Sequence, residues 1–154
     1  MFEGKILHIH TCPKAAADME QRTSAVLVPG HGIEGDRYAL GSGKYSQVPD
    51  IREVTLIEVE TLEALKRDHD IELLPDRHRR NITTIGVPLN HLVGRRFSVG
   101  SVILEGGRLN TPCRYLDLIT GQSVFELLKH RSGLNCRIIV GGEILPGDVI
   151  RPTG

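Results

Sequence analysis

Apolar and polar residues alternate along this chain over short stretches, each closed by Gly, Pro or a charged cluster. That period of two is the period of half-buried strands. It predicts strands at Lys5–His10 (KILHIH), Ser24–Val28 (SAVLV), Glu53–Ile57 (EVTLI) and Asn81–Ile85 (NITTI). Further strands are expected at Arg96–Val99, Ser101–Glu105, Asn135–Val140 and Asp148–Ile150. Helical spacing occurs twice. Over Glu58–His69, Val59, Leu62 and Leu65 form a stripe, and Glu63 stands four residues before Arg67. Over Val124–Arg131, Ser123 and Glu126 make a capping-box pattern ahead of Leu127 and Leu128. A parallel α/β sheet needs a helix between most strands, and these are missing. The pattern therefore predicts a mainly β, barrel-like fold with a few short helices. Gly41 to Asp50 (GSGKYSQVPD) reads as a surface loop.

The 154 residues suit one domain over 1–154. Composition (40% hydrophobic, 25% charged) fits a folded chain, and 17 Gly with 8 Pro fit a turn-rich β fold. No apolar run reaches the length of a membrane span, and the start MFEGKILHIH lacks signal-peptide architecture, so a cytoplasmic location is expected. Nineteen basic and nineteen acidic residues cancel, which argues against a nucleic-acid or membrane-surface partner. Trp is absent, so stacking platforms for single strands are scarce. The balance hides an asymmetry. Residues 1–76 carry eight Lys/Arg against fourteen Asp/Glu, and residues 77–154 carry eleven against five. The second half is thereby expected to supply any anion site.

Three widely spaced cysteines with no CxxC pair argue against a disulfide framework or a structural zinc knuckle. Cys113, in RLNTPCRYLD, has Arg108 and Arg114 nearby, and cations favour a thiolate. A buried, inert thiol is the competing reading. Cys136 reads as packing, and Cys12 receives no role. The run Arg77-His78-Arg79-Arg80 offers guanidinium forks for phosphate or carboxylate, or is a solvated basic turn. Gly32–Tyr38 (GIEGDRY) is a tight polar turn that either binds an anion or merely pairs Asp36 with Arg37. His8 and His10 share a strand face, but no third metal ligand stands at a telling spacing.

The order GIEGDRY (32–38), EVTLIEVETLEAL (53–65), RRNITTIGVPLNHLVGRRFSVGSVILEG (79–106), TPC (111–113) and GGEILPGDVI (141–150) resembles the MOSC domain, found at the C-terminus of molybdenum-cofactor sulfurases and in short stand-alone bacterial proteins. The resemblance covers most of the chain and implies a pyruvate-kinase-type β-barrel. It makes Cys113 the reactive residue, a persulfide carrier in the sulfurases and a molybdenum ligand in the amidoxime-reducing members. It also implies that Asp36, Arg37, Arg79, Arg80 and Asn81, with Thr111 and Arg114 beside the cysteine, contact the molybdenum cofactor (molybdopterin). The chain lacks a pyridoxal-phosphate desulfurase domain, so that cofactor is not expected. Leu109-Asn110-Thr111 lacks the second thiol expected of close relatives.

Three functions follow as expectations. The first is an oxidoreductase that reduces small N-hydroxylated compounds through cysteine-ligated molybdenum, with electrons from an external donor. The second is a sulfur carrier loaded on Cys113 by a cysteine desulfurase. The third is a non-catalytic module that binds or delivers the cofactor.

Overall fold

The computed structural model describes residues 1–44, 46, 50–112, 116–117 and 120–153. Seven strands close into a barrel: β1 (Gly4–Thr11), β5 (Val54–Glu58), β6 (Ile82–Ile85), β7 (Arg96–Val99), β8 (Val102–Leu109), β9 (Leu134–Val140) and β11 (Val149–Pro152). Their order is β11-β7-β8-β9-β5-β6-β1, and pairing of Gly4 with Ile150 and of Lys5 with Val149 closes the ring. Closure leaves these strands with no open edge between them. β2 (Glu20–Arg22) extends the sheet beyond β1, while β3 (Ala25–Val28), β4 (Gly32–Ile33) and β10 (Gly142–Ile144) form a separate small sheet. Among the described strands, β5 and β6 alone pair in parallel. A parallel pair needs a long crossover, and the helix α2 (Val59–His69) lies in that connection.

All eight expected strands form, with boundaries shifted by a few residues. The alternation that predicted them fills the barrel. Val54 and Leu56, Phe97 and Val99, Val102 and Leu104, and Leu134, Cys136 and Ile138 are buried in one core cluster. β1 departs from strict alternation, because Ile6 and Ile9 are both in that core. Its register against β6 shifts between Ile6 and His8, and the bulge allows residues three apart to share a face. The three short strands β2, β4 and β10 escaped the pattern, because two or three residues are too few to establish a period.

α2 agrees with its expected span and buries Leu62 and Leu65. With Ile57, Leu73, Leu116, Val124 and Leu128 these make a second apolar cluster outside the barrel. The expected Glu63–Arg67 pair is not what holds the helix surface. Arg67 instead forks onto Asp68, with Nε–Oδ1 at 2.7 Å and Nη2–Oδ2 at 2.9 Å.

The second expected helix does not form. Val124–Arg131 is a series of turns, with one α-type bond from Leu128 N–H to the Val124 carbonyl (3.0 Å). Three-residue bonds follow, from Lys129 to Glu126 and from Arg131 to Leu128. The amides at its start are capped from elsewhere: Val124 and Phe125 donate to Asp117 Oδ1 at 2.8 and 3.0 Å. Burial of Val124 and Leu128 needs only one turn, and His130 then enters the left-handed region at φ 64°. The GIEGDRY segment, read as a turn, ends in a one-turn helix α1 (Arg37–Leu40).

Candidate functional site

A cavity of about 330 Å³ lies against the outer wall of the barrel. Its floor comes from outward-facing strand positions. Thr55 on β5 lies between the core residues Val54 and Leu56, and Asn135 on β9 between Leu134 and Cys136. Arg108 reaches the same wall because β8 is irregular. The register runs Gly106 to Cys136 and then Arg108 to Asn135, so one extra residue, Gly107, is inserted. Without the bulge, Arg108 would share the inward parity of Leu104 and Gly106. Gly106 is required where it stands. A Cβ there would lie 2.0 Å from the Leu92 carbonyl oxygen.

Six cationic side chains line the cavity among the described residues: Arg37, Lys44, Arg52, Arg79, Arg80 and Arg108. Asp50 is the one carboxylate on the described wall. Ala15, Ala16, Pro112 and Leu116 supply apolar surface, and Tyr38 lies under two guanidinium groups, with Arg37 Cζ at 4.7 Å and Arg52 Cζ at 5.5 Å from its ring centre. Asn110 Nδ2 donates to Asn135 Oδ1 at 2.7 Å, and Asn135 Nδ2 donates to the Ile51 carbonyl at 2.8 Å. The polar floor is thus fixed by its own bonds.

The arginines are positioned from behind. Arg37 Nη2 donates to the Arg79 carbonyl (2.9 Å), and Arg37 Nη1 reaches Asp36 Oδ1 (3.2 Å), Cys12 Sγ and Met19 Sδ (both 3.6 Å). Arg79 Nη1 donates to the Ala17 carbonyl, and its Nη2 approaches Cys12 Sγ at 3.5 Å. Arg79 has φ 69° and Ala16 has φ 61°, two non-glycine residues in the left-handed region on one cavity wall. Such conformations cost about 1–3 kcal/mol each and concentrate at ligand sites. Arg80 is buried, donating from Nε to the Ser132 carbonyl (2.9 Å) and from Nη2 to Ser132 Oγ (2.7 Å).

His78 sits beneath this segment. Its Nδ1 accepts the Arg80 amide (2.9 Å), which leaves Nε2 to donate to Thr83 Oγ1 (2.8 Å). Burial, then the Arg80 guanidinium and the imidazoles of His10 and His8, hold His78 well below the ordinary histidine range. It is a neutral structural ring.

The expected site residues therefore separate. Arg37, Arg79, Arg80 and Thr111 line the cavity together. Asp36 and Asn81 do not. Asp36 is fully buried and accepts from the Cys12 amide (3.2 Å) and Arg37, while its Oδ2 has no hydrogen-bond partner. Asn81 ties β5 to β1, accepting from the Thr55 amide and hydroxyl (both 3.1 Å) and donating to the His10 carbonyl (3.2 Å). Cys113 and Arg114 lie outside the described residues, as do Tyr45 and Gln47–Pro49 of the expected surface loop.

Lys44, Arg52, Asn110 and Asn135 were not singled out by the sequence. Isolated polar residues in loops and on strands carry no periodic signal. The second half of the chain does not supply the cations alone: Arg37, Lys44 and Arg52 come from the acidic half. Cys136 is fully buried in the barrel core, which pushes its thiol pKa up. The His8 and His10 rings lie 6.1 Å apart, and no group of three metal-ligating side chains occurs among the described residues. Among those residues no helix is long and apolar enough to cross a membrane.

No curated protein matches this sequence. Solved structures of similar fold include the YuaD protein from Bacillus subtilis, at 17% identity and TM-score 0.81, covering 97% of each chain. YiiM from Geobacillus stearothermophilus is 13% identical with TM-score 0.76, covering 98% of this chain and 75% of its own. YiiM from Escherichia coli is 17% identical with TM-score 0.71, covering 100% and 70%. At these identities the likeness establishes the barrel fold alone. The family model for the MOSC domain matches residues 44–151, a span that runs from cavity residue Lys44 through Pro112 to the closing strand β11, and the chain belongs to that family.

Proposed function

We propose that this protein binds the molybdenum cofactor in the arginine-lined cavity and acts as an oxidoreductase on small N-hydroxylated compounds. The family is one associated with molybdenum-cofactor binding. The observation that carries the reading is six cationic side chains around one 330 Å³ cavity. The donor set fits the cofactor's phosphate: guanidinium forks match oxyanion geometry, and those of Arg37 and Arg79 are held by carbonyl and sulfur contacts behind the wall.

Arg37, Arg79 and Arg108 would hold the phosphate, and the amides of Asn110 and Asn135 would face the polar part of the ligand. Ala15, Ala16, Pro112 and Leu116 would exclude water from its apolar edge. Thr111 and Pro112 line the cavity, and Cys113 follows Pro112 directly in the chain. A thiolate there is a soft donor suited to molybdenum. When bound, the cofactor supplies two-electron chemistry, so that an N-hydroxylated substrate loses its N–O bond and takes up two protons to give the amine and water. The electrons come from an external donor protein.

The test is elemental analysis of protein purified anaerobically from a molybdenum-replete host. Stoichiometric molybdenum that disappears in Cys113→Ser is the expected result. Metal-free wild-type protein overturns the reading. A persulfide on Cys113 after incubation with a cysteine desulfurase, seen by mass spectrometry, would in that case assign the sulfur-carrier role. Cofactor bound without turnover would assign the delivery role.

A further inference from the structure

Asp50 occupies a particular place in the cavity. Its Oδ1 accepts from Arg108 Nε at 2.8 Å, and its Oδ2 accepts from Arg108 Nη2. Arg52 Nη2 approaches the same Oδ2 at 3.2 Å, and the Ile51 amide donates to Oδ1 at 2.7 Å. This is the fork-on-carboxylate geometry with which a guanidinium grips any planar or tetrahedral oxyanion. The two arginines come from distant segments, Arg52 just before β5 and Arg108 from β8. The Asp50, Arg52 and Arg108 side chains keep 26%, 14% and 38% of their exposure, so a solute can reach the pair from outside. Hydrogen bonding to Arg108 holds the Asp50 carboxyl well below the usual carboxylate range, so it is a fixed negative charge.

We propose that Asp50 is a built-in counterion that occupies the anion position at Arg108 and Arg52, so that a ligand enters by displacing it and phosphate dianions are selected over monoanions. The inference rests on the reading of the cavity as an anion site. Its physical basis is an exchange. A monoanion that replaces Asp50 on the two guanidinium groups makes the same bonds that it breaks, and gains little. A dianion brings a second negative charge to Arg79, whose guanidinium group meets the Ala17 carbonyl and Cys12 Sγ rather than a carboxylate. The displaced carboxylate recovers its hydration at the open side. No covalent bond changes.

The experiment compares methyl phosphate, mainly a dianion at pH 7.5, with dimethyl phosphate, a monoanion of the same chemistry. Each is titrated calorimetrically into the full chain at low ionic strength. Wild type should bind methyl phosphate at least tenfold more tightly than dimethyl phosphate. In Asp50→Asn, and in Asp50→Ala should the amide keep a bond to Arg108, both affinities should rise. The rise should be larger for dimethyl phosphate, so that the preference shrinks to below threefold. Binding that appears only in the variants also supports the proposal. Wild-type binding with no gain, or a loss, in both variants overturns it and makes Asp50 a scaffold for the arginines, leaving the anion site intact. No binding by any of the three proteins overturns the anion-site reading and this inference together.

Discussion

Arg37 Nη2 donates to the backbone carbonyl of Arg79 at 2.9 Å, and Arg79 holds φ 69°. One cavity arginine thereby fixes the backbone from which another projects. Arg37 also forms a buried pair with Asp36, the two side chains being 7% and 1% exposed. Substituting Arg37→Met should strand the Asp36 carboxylate, whose Oδ2 is already without a partner. Removing one member of a buried pair costs about 3–5 kcal/mol. Chemical denaturation should record a loss of that order, and phosphate binding should weaken at the same time.

Gly106 predicts a purely steric effect. Its added Cβ would meet a backbone oxygen at 2.0 Å, which no side-chain movement relieves. Gly106→Ala should destabilise the barrel by about 3 kcal/mol or more, at the upper end of ordinary overpacking. A melting temperature within a degree or two of wild type would contradict the packing of β8 against the turn at Leu92.

Acid should weaken the fold before the carboxylates titrate. His78 is neutral when folded, because burial and the Arg80 charge depress its pKa, whereas the unfolded chain takes up a proton below about pH 6.5. The unfolded state then binds more protons, so stability is lost as pH falls below that value. The loss should be visible between pH 7.5 and pH 5. Urea denaturation across this range should show the slope, and His78→Gln should reduce it to the part contributed by His10, which burial also depresses. Asp50 acts in a separate, lower window. Its folded pKa is depressed, so its contribution is lost only as pH falls below about 3.9.

Thiol labelling tests the burial of two cysteines. Cys12 and Cys136 are both buried, and the Cys136 thiol is held protonated by its apolar surroundings. A maleimide applied to the native protein at pH 7.5 should leave Cys12 and Cys136 unmodified, and both should react in denaturant. Rapid native labelling of Cys12 would contradict its burial behind Arg37 and Arg79.

The barrel strands were legible because side-chain burial on a closed sheet has a period of two. Helix α2 was legible because Leu62 and Leu65 face one apolar cluster at helical spacing. Val124 and Leu128 carry the same spacing, and a single turn satisfies it. Spacing alone does not distinguish that turn from a helix. The arginines of GIEGDRY and RRN come together around one cavity, but the motifs do not give the division of labour within it. Arg37 and Arg79 line the cavity, whereas Asp36 and Asn81 brace it from behind.

The sequence by itself determined the strand pattern and the family motifs, and it puts Arg108 and Arg114 near Cys113 along the chain. Those are local properties, carried by alternation, turn residues and neighbouring charge. Only the tertiary structure decided which charges meet. The closed barrel brings Lys44 and Arg52 from the acidic half of the chain to the same wall as Arg79, Arg80 and Arg108. One bulge at Gly107 turns Arg108 outward onto that wall, opposite Asp50. A single inserted residue reverses side-chain facing from there to the strand end, and that reversal is set by pairing with β9, a strand more than twenty residues further along the chain.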